Sequence, residues 1–178
     1  MIVPDKLTPL TLIEAARALC AAYRSVFSDE LSRSALCCLL AQTALETGQW
    51  HAIHCYNWGN VKAGGSWLGD VCMFHCGEII DGNEVFFDPP HPQTHFRAYP
   101  SAAAGAEAYV RFLGTASHPP KPNRYQAAWD AAMAGDIESF VDELSTARYF
   151  TASVDRYRAE AVTLYQQFQR ELPENIEG

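Results

Sequence analysis

Residues 39–50, LLAQTALETGQW, decide how this chain is read. The stretch leading into it, Ala35 to Thr43, carries no charge. A helix that is apolar nearly all round belongs inside a core rather than on a surface. Ser28 is an N-cap candidate for a helix from about Asp29 to Thr47, with Gly48 as its stop. Glu46 then stands at the end of the most apolar helix of the chain. An ionised carboxylate costs several kcal/mol to bury without a partner. Glu46 is therefore either an ordinary helix-end glutamate at the surface, or a carboxyl facing a wet cleft with a raised pKa. The second state is what a general acid needs at neutral pH.

Working outward, Thr11-Leu12-Ile13-Glu14 has the form of a capping box. Ile13, Ala16, Cys20, Tyr23 and Phe27 follow at helical spacing and predict a first amphipathic helix. From Gly59 to Arg97 the texture changes to short apolar runs punctuated by Gly, Asp, Asn and Pro. Asp81-Gly82 between apolar flanks is a hairpin signal. A small β-lobe is expected over about residues 60–97, ending in the rigid loop DPPHPQTHF. Helices then return. Ser101, Asn123, Asp136 and Ser153 are N-cap candidates for four of them, and residues 173–178 form a polar tail. The expected fold class is α+β, mainly α: a helical body with a small β-hairpin lobe, in one domain spanning 1–178.

The net charge of −8 excludes the basic surface that nucleic-acid binding requires. No apolar run approaches the ~18 residues needed to cross a bilayer, so no membrane insertion is expected. The start, MIVPDKLTPLTLIEAARAL, lacks a basic stretch followed by an apolar one, so no secretory signal is expected. With six cysteines in a chain of 178 residues, reduced thiols are the expectation. Cys20, Cys37 and Cys38 fall in apolar helical patterns as small hydrophobes.

Several stretches carry candidate chemistry. CYNWGNVKAGGSW, residues 55–67, sets aromatic rings among Asn57, Gly59, Asn60 and two further glycines. Glycines allow close approach to backbone groups, and rings with amides suit sugars, although a Gly-rich turn around a buried Trp reads equally well. Glu78, Asp81, Glu84 and Asp88 in the β-lobe offer a second carboxylate for glycoside hydrolysis, most of them being solvated turn acids. Cys72, His75 and Cys76 have no second clean pair to complete a zinc set, so no metal is expected; a disulfide among Cys55, Cys72 and Cys76 is the stronger alternative. Phosphate-binding glycine loops, HExxH and Gly-x-Ser-x-Gly are all missing from the sequence.

Taken in order, LLAQTALETGQW, YNWGNVKAG, GEIIDG, HFRAYPSAAAGAEAYVRFL and RYFTASVDRYRAEAVTLY resemble the bacterial and phage peptidoglycan hydrolases of the N-acetylglucosaminidase type, which have a lysozyme-like fold. The resemblance covers residues 31–168. It implies cleavage of β-1,4 bonds between N-acetylglucosamine and N-acetylmuramic acid, with no cofactor. It places Glu46 on the family's general acid and Glu78 on its second carboxylate. Tyr157 falls near the tyrosine that faces the acid. Tyr56, Asn57 and Gly59 fall in the cleft-lining loop, and Tyr149 and Thr151 in the Tyr-x-Thr stretch. The chain departs from the family in Trp58, in its longer spacing from Thr151 to Tyr157, which sets Tyr149 against Tyr157 for the tyrosine role, and in its cysteines. The partner implied is the glycan strand of peptidoglycan, bound by a monomer made in the cytoplasm and acting after release or delivery, as in phage lysis or a virion. The alternative is a lysozyme-like module that grips glycan without cutting it.

Overall fold

A computed structural model describes residues 1–80, 82–115 and 122–176. Helix α1, Leu12–Phe27, begins at the capping box: Thr11 Oγ1 accepts from the Glu14 amide, and the Glu14 carboxylate accepts from the Thr11 amide. Ser28 does not open the next helix. It closes α1 in a left-handed conformation (φ 55°), donating its N–H to the Arg24 carbonyl. The next helix, α2, is Arg33–Glu46, and Ser32 caps it by accepting from the Ala35 amide. The expected start at Asp29 is therefore four residues early. Ser28 and Ser32 are both good caps, and only the left-handed geometry of the first separates them.

All ten residues from Ala35 to Ala44 are buried, so α2 is the central rod of the body. It packs on α1, on α4 (Gln126–Met133) and on α6 (Val154–Glu171). Helices α3 (Ala102–Gly114) and α5 (Ile137–Thr146) start at Ser101 and Asp136, whose side chains accept from the Ala104 and Ser139 amides. Helix α4 starts later than Asn123. The Asn123 side chain instead accepts from the Tyr125 amide and donates to the Leu113 carbonyl, which ties the turn before α4 to the end of α3. On α6, Tyr157, Ala161, Leu164 and Phe168 are the buried residues, at the helical spacing read from the sequence. Helix α3 lies so close to the loop that follows α2 that a Cβ on Gly105 would stand 2.0 Å from the Tyr56 carbonyl oxygen.

The β-lobe is two two-stranded antiparallel sheets rather than one hairpin. At its root β1 (Asp70–Met73) pairs with β4 (His95–Ala98), placing Cys72 opposite Phe96. Between them β2 (Cys76–Ile80) and β3 (Asn83–Phe87) pair with Glu78 opposite Val85. Their turn includes Gly82 at φ 79°, while Asp81 lies outside the described residues. Cys55, Cys72, Phe96 and Ala98 form a small core of their own at this root.

An N-terminal arm is wedged into the same place. Ile2 bridges Val71, Leu7 bridges His54, and the Cys55 amide donates to the Lys6 carbonyl. All six cysteines are free. Burial pushes the Cys37 thiol up to about 11 and Cys38 to about 12, so both behave as core hydrophobes. No helix among the described residues is long and apolar enough to cross a membrane. The mainly helical α+β architecture is the one the sequence predicts.

Candidate active site

The last turn of α2 brings Glu46 out of the core at the floor of a cleft of about 590 Å³ between the helical body and the β-lobe. One wall carries Gly59, Asn60, Val61 and Lys62; the lobe contributes Cys76, Gly77 and Glu78; the α5–α6 connection contributes Tyr149, Phe150 and Thr151, with Tyr157 from α6.

Glu46 is held by two donors on one oxygen. Tyr157 OH donates to Oε1 at 3.0 Å and Gln42 Nε2 donates to it at 3.3 Å. Gln42 sits one helical turn earlier, so both side chains lie on one face of α2. Its orientation is fixed from behind, because the Tyr109 hydroxyl donates to Gln42 Oε1 at 2.6 Å. Asn60 Nδ2 also donates to the Glu46 backbone carbonyl, fastening the loop to the helix end. Burial is the dominant influence on the Glu46 carboxyl. It outweighs the Tyr157 and Gln42 hydrogen bonds, which favour the anion, and the pKa rises to about 7. Burial, reinforced by the Glu46 charge, raises Tyr109, Tyr149 and Tyr157 well above 10, so all three keep their hydroxyl protons. Oε1 accepts from two donors, which leaves Oε2 as the oxygen free to carry the proton of the neutral acid.

Glu78 reaches the same cleft from β2. Its carboxylate pairs with Lys62 Nζ at 2.5 Å. Lys62 also donates to the Gln93 carbonyl at 2.8 Å and to Gln93 Oε1 at 2.9 Å. The two carboxyl groups thus have different surroundings: Glu46 is buried between neutral donors, and Glu78 lies beside a cation.

The structure gathers Glu46, Glu78, Gly59, Tyr149, Thr151 and Tyr157 around one cleft. Tyr149 OH donates to the Gly59 carbonyl at 2.9 Å, and a Cβ on Gly59 would lie 2.4 Å from that hydroxyl. Glycine is therefore what lets the two walls meet. Tyr157 stacks on Phe150 at 3.9 Å and is the tyrosine that touches Glu46.

Tyr56 and Asn57 are not brought to the cleft. Asn57 is buried and its amide group is spent on the loop, donating to the Val61 carbonyl and accepting from the Val61 amide. Tyr56 faces a separate depression beside Val3, Lys6 and Pro100. Gln42, Tyr109 and Lys62 escaped the sequence reading. The available signal for Gln42 was a polar residue four positions before Glu46 in an otherwise apolar run. Nothing local marks Lys62 or Tyr109.

The glucosaminidase family, described as mannosyl-glycoprotein endo-beta-N-acetylglucosaminidase, matches residues 30–170. No curated protein sequence matches the chain. Among solved structures it is similar to a peptidoglycan hydrolase mutant from Sphingomonas sp. A1 (TM-score 0.62, 23% identity, covering 89% of this chain and 99% of that one). It is also similar to the glycoside hydrolase domain of FlgJ from Salmonella typhimurium (TM-score 0.56, 23% identity, covering 89% and 97%). A third is the catalytic domain of the autolysin Auto from Listeria monocytogenes (TM-score 0.58, 18% identity, covering 92% and 88%). With the family match spanning most of its length, the chain belongs to the glucosaminidase family of glycoside hydrolases.

Proposed function

We propose that this enzyme cuts the β-1,4 glycosidic bond of peptidoglycan on the N-acetylglucosamine side, with Glu46 as general acid. The observation that carries the reading is the pair of opposed carboxyl groups in one cleft: a Glu46 with its pKa near 7 and a Glu78 beside Lys62. A carboxyl that burial keeps protonated near neutral pH is suited to donate a proton, and a second carboxyl across the cleft completes the pair that glycoside hydrolysis uses.

In this scheme Glu46 Oε2 gives its proton to the leaving glycosidic oxygen while Tyr157 and Gln42 hold Oε1. The donors then stabilise the anion that forms, so the groups that orient the acid also ease its ionisation. Glu78 activates water on the far face of the sugar or steadies the developing oxocarbenium charge. A substrate-assisted route, in which the N-acetyl oxygen attacks, would use Tyr149 or Tyr157 to orient that group. Phe150 and the flanking tyrosines offer apolar faces to sugar C–H groups. The neighbouring folds from Sphingomonas and Salmonella and the family membership support peptidoglycan as substrate. The enzyme acts as a monomer on the wall after release or delivery.

The test is digestion of purified peptidoglycan followed by borohydride reduction and mass spectrometry. Reduced N-acetylglucosamine termini are expected, and Glu46→Gln abolishes them without unfolding the protein. Reduced N-acetylmuramic acid termini would reverse the bond assignment. Glycan binding with no new reducing ends, in wild type and variant alike, would leave a binding module.

A further inference from the structure

Away from the cleft, three chain segments bring metal-ligating atoms together at the root of the β-lobe. Asp5 lies on the N-terminal arm, Cys55 in the loop following α2, and Cys72 on β1. One carboxylate oxygen and the two Sγ atoms all lie within 4.8 Å of one another, the one such trio among the described residues. The two thiols are buried, with Cys72 wholly inaccessible, while Asp5 is at the surface. The cysteine pattern that the sequence offered for zinc is not the one assembled: Cys76 Sγ turns to the Gln93 carbonyl, and His75 pairs with Asp88.

From this geometry we infer that Asp5, Cys55 and Cys72 form a binding site for a thiophilic divalent cation, zinc being the biological choice, that clamps the N-terminal arm to the base of the β-lobe.

Five features bear on it. Two thiolates with one carboxylate are a donor set that zinc accepts and that hard cations such as magnesium do not favour. In a tetrahedral zinc site such atoms stand about 3.5–4 Å apart, so the trio needs to close only slightly. The Asp5 carboxylate is already oriented, since His54 Nδ1 lies 2.7 Å from its Oδ1 and the His54 ring is stacked 3.9 Å from Phe74. An outer hydrogen bond of this kind fixes a ligand's direction and commonly sets metal affinity. An approach path exists as well: Cys55 lines a surface pocket of about 260 Å³ together with Pro4, and its Sγ lies 3.6 Å from the Pro4 carbonyl oxygen, leaving that oxygen or water for a fourth position. Cys55 and Tyr56 both hold positive φ, at 48° and 54°, a costly backbone state at the residue that supplies one thiol of the trio.

The consequence is mechanical. The arm reaches this point through isolated bridges, such as Ile2 to Val71 and Leu7 to His54, single hydrogen bonds, and the surface contacts of its amino terminus with Asp70 and of Asp5 with His54. A metal bond among three segments distant in sequence would hold β1 in register. The lobe that presents Glu78 across the cleft is anchored through β1 and β4.

The experiment is zinc titration of the full chain, freed of metal by chelation and kept under reductant, in competition with a chromophoric chelator. Cobalt spectroscopy then reports thiolate ligation. One equivalent is expected, with a thiolate-to-cobalt band. Asp5→Ala should weaken zinc at least tenfold and Cys72→Ser should remove the band, while Cys76→Ser changes neither. Asp5 is at the surface, so its variant tests the site even where Cys72→Ser fails to fold. Zinc should also raise the melting temperature of the wild type and not that of Asp5→Ala. Absence of stoichiometric zinc binding would overturn the inference. So would binding left unchanged in Asp5→Ala, or thiol counting that finds Cys55 and Cys72 joined as a disulfide in the purified protein.

Discussion

Replacing Glu46 by Gln separates the chemistry of this carboxyl from its cost to the fold. The unfolded chain releases the Glu46 proton near its ordinary value of 4.5, whereas the native protein keeps it to about 7. Between these values the native state binds more protons than the unfolded state, so stability falls as pH rises through the window. The loss is complete above about 7. At about 1.4 kcal/mol per pH unit, the rise from 4.5 to about 7 amounts to about 3 kcal/mol. Glutamine has the shape of the neutral acid and its oxygen can still accept from Tyr157 and Gln42. At pH 4.5 the variant should therefore match the wild type within about 1 kcal/mol. At pH 8 it should be the more stable by about 3 kcal/mol, or about 6–12 °C in melting temperature for a chain of this size. The buried thiols titrate equally in both proteins and cancel in the difference. Urea unfolding followed by circular dichroism at pH 4.5, 6 and 8 measures it. A stability difference that stays constant across that range would refute the reasoning, because the advantage of Gln would then have nothing to do with ionisation.

Three further outcomes follow from the same contacts. Tyr157→Phe removes a donor that favours the Glu46 anion, so the alkaline limb of the pH–rate profile should move up while turnover falls; an unmoved limb would detach Tyr157 from Glu46. Gly59→Ala should cost about 1–3 kcal/mol by overpacking, read by denaturant melts, since its Cβ meets the Tyr149 hydroxyl, and should lower activity by shifting that cleft wall. Asn57→Ala takes the acceptor from the Val61 amide, while the Val61 carbonyl keeps the Arg97 amide as a donor, and should destabilise by about 1–3 kcal/mol, whereas an unchanged melt would show the loop held by other means.

The sequence made the centre of this protein readable and its margins much less so. Helix α2 is legible because ten successive residues can be buried only in a rod surrounded on all sides, and Glu46 stands out against that background. Its start is misread because Ser28 and Ser32 are equally good caps, and only the fold puts Ser28 in a left-handed turn. Asn57 and Asn60 look alike in the sequence. One is consumed by the backbone of its own loop and the other reaches the helix end, a distinction set by three-dimensional direction. Gln42 shows why a polar side chain in an apolar run repays attention: its partners are 4 and 67 residues away. The N-terminal arm left no trace, since two isolated bridges have no periodicity to detect. The Lys62–Glu78 pair joins a loop to a strand and depends wholly on how the lobe folds back.

The central claim is that Glu46 carries its proton at neutral pH in a cleft that also holds Glu78 beside Lys62. The most direct measurement is a carbon-detected NMR titration of the side-chain carboxyl carbons, with the Glu46 signal assigned by its loss in Glu46→Gln. A midpoint near 7 for Glu46 is the predicted result. A midpoint near 4.5, the ordinary glutamate value, would contradict the account, because the acid would then be spent before it meets its substrate.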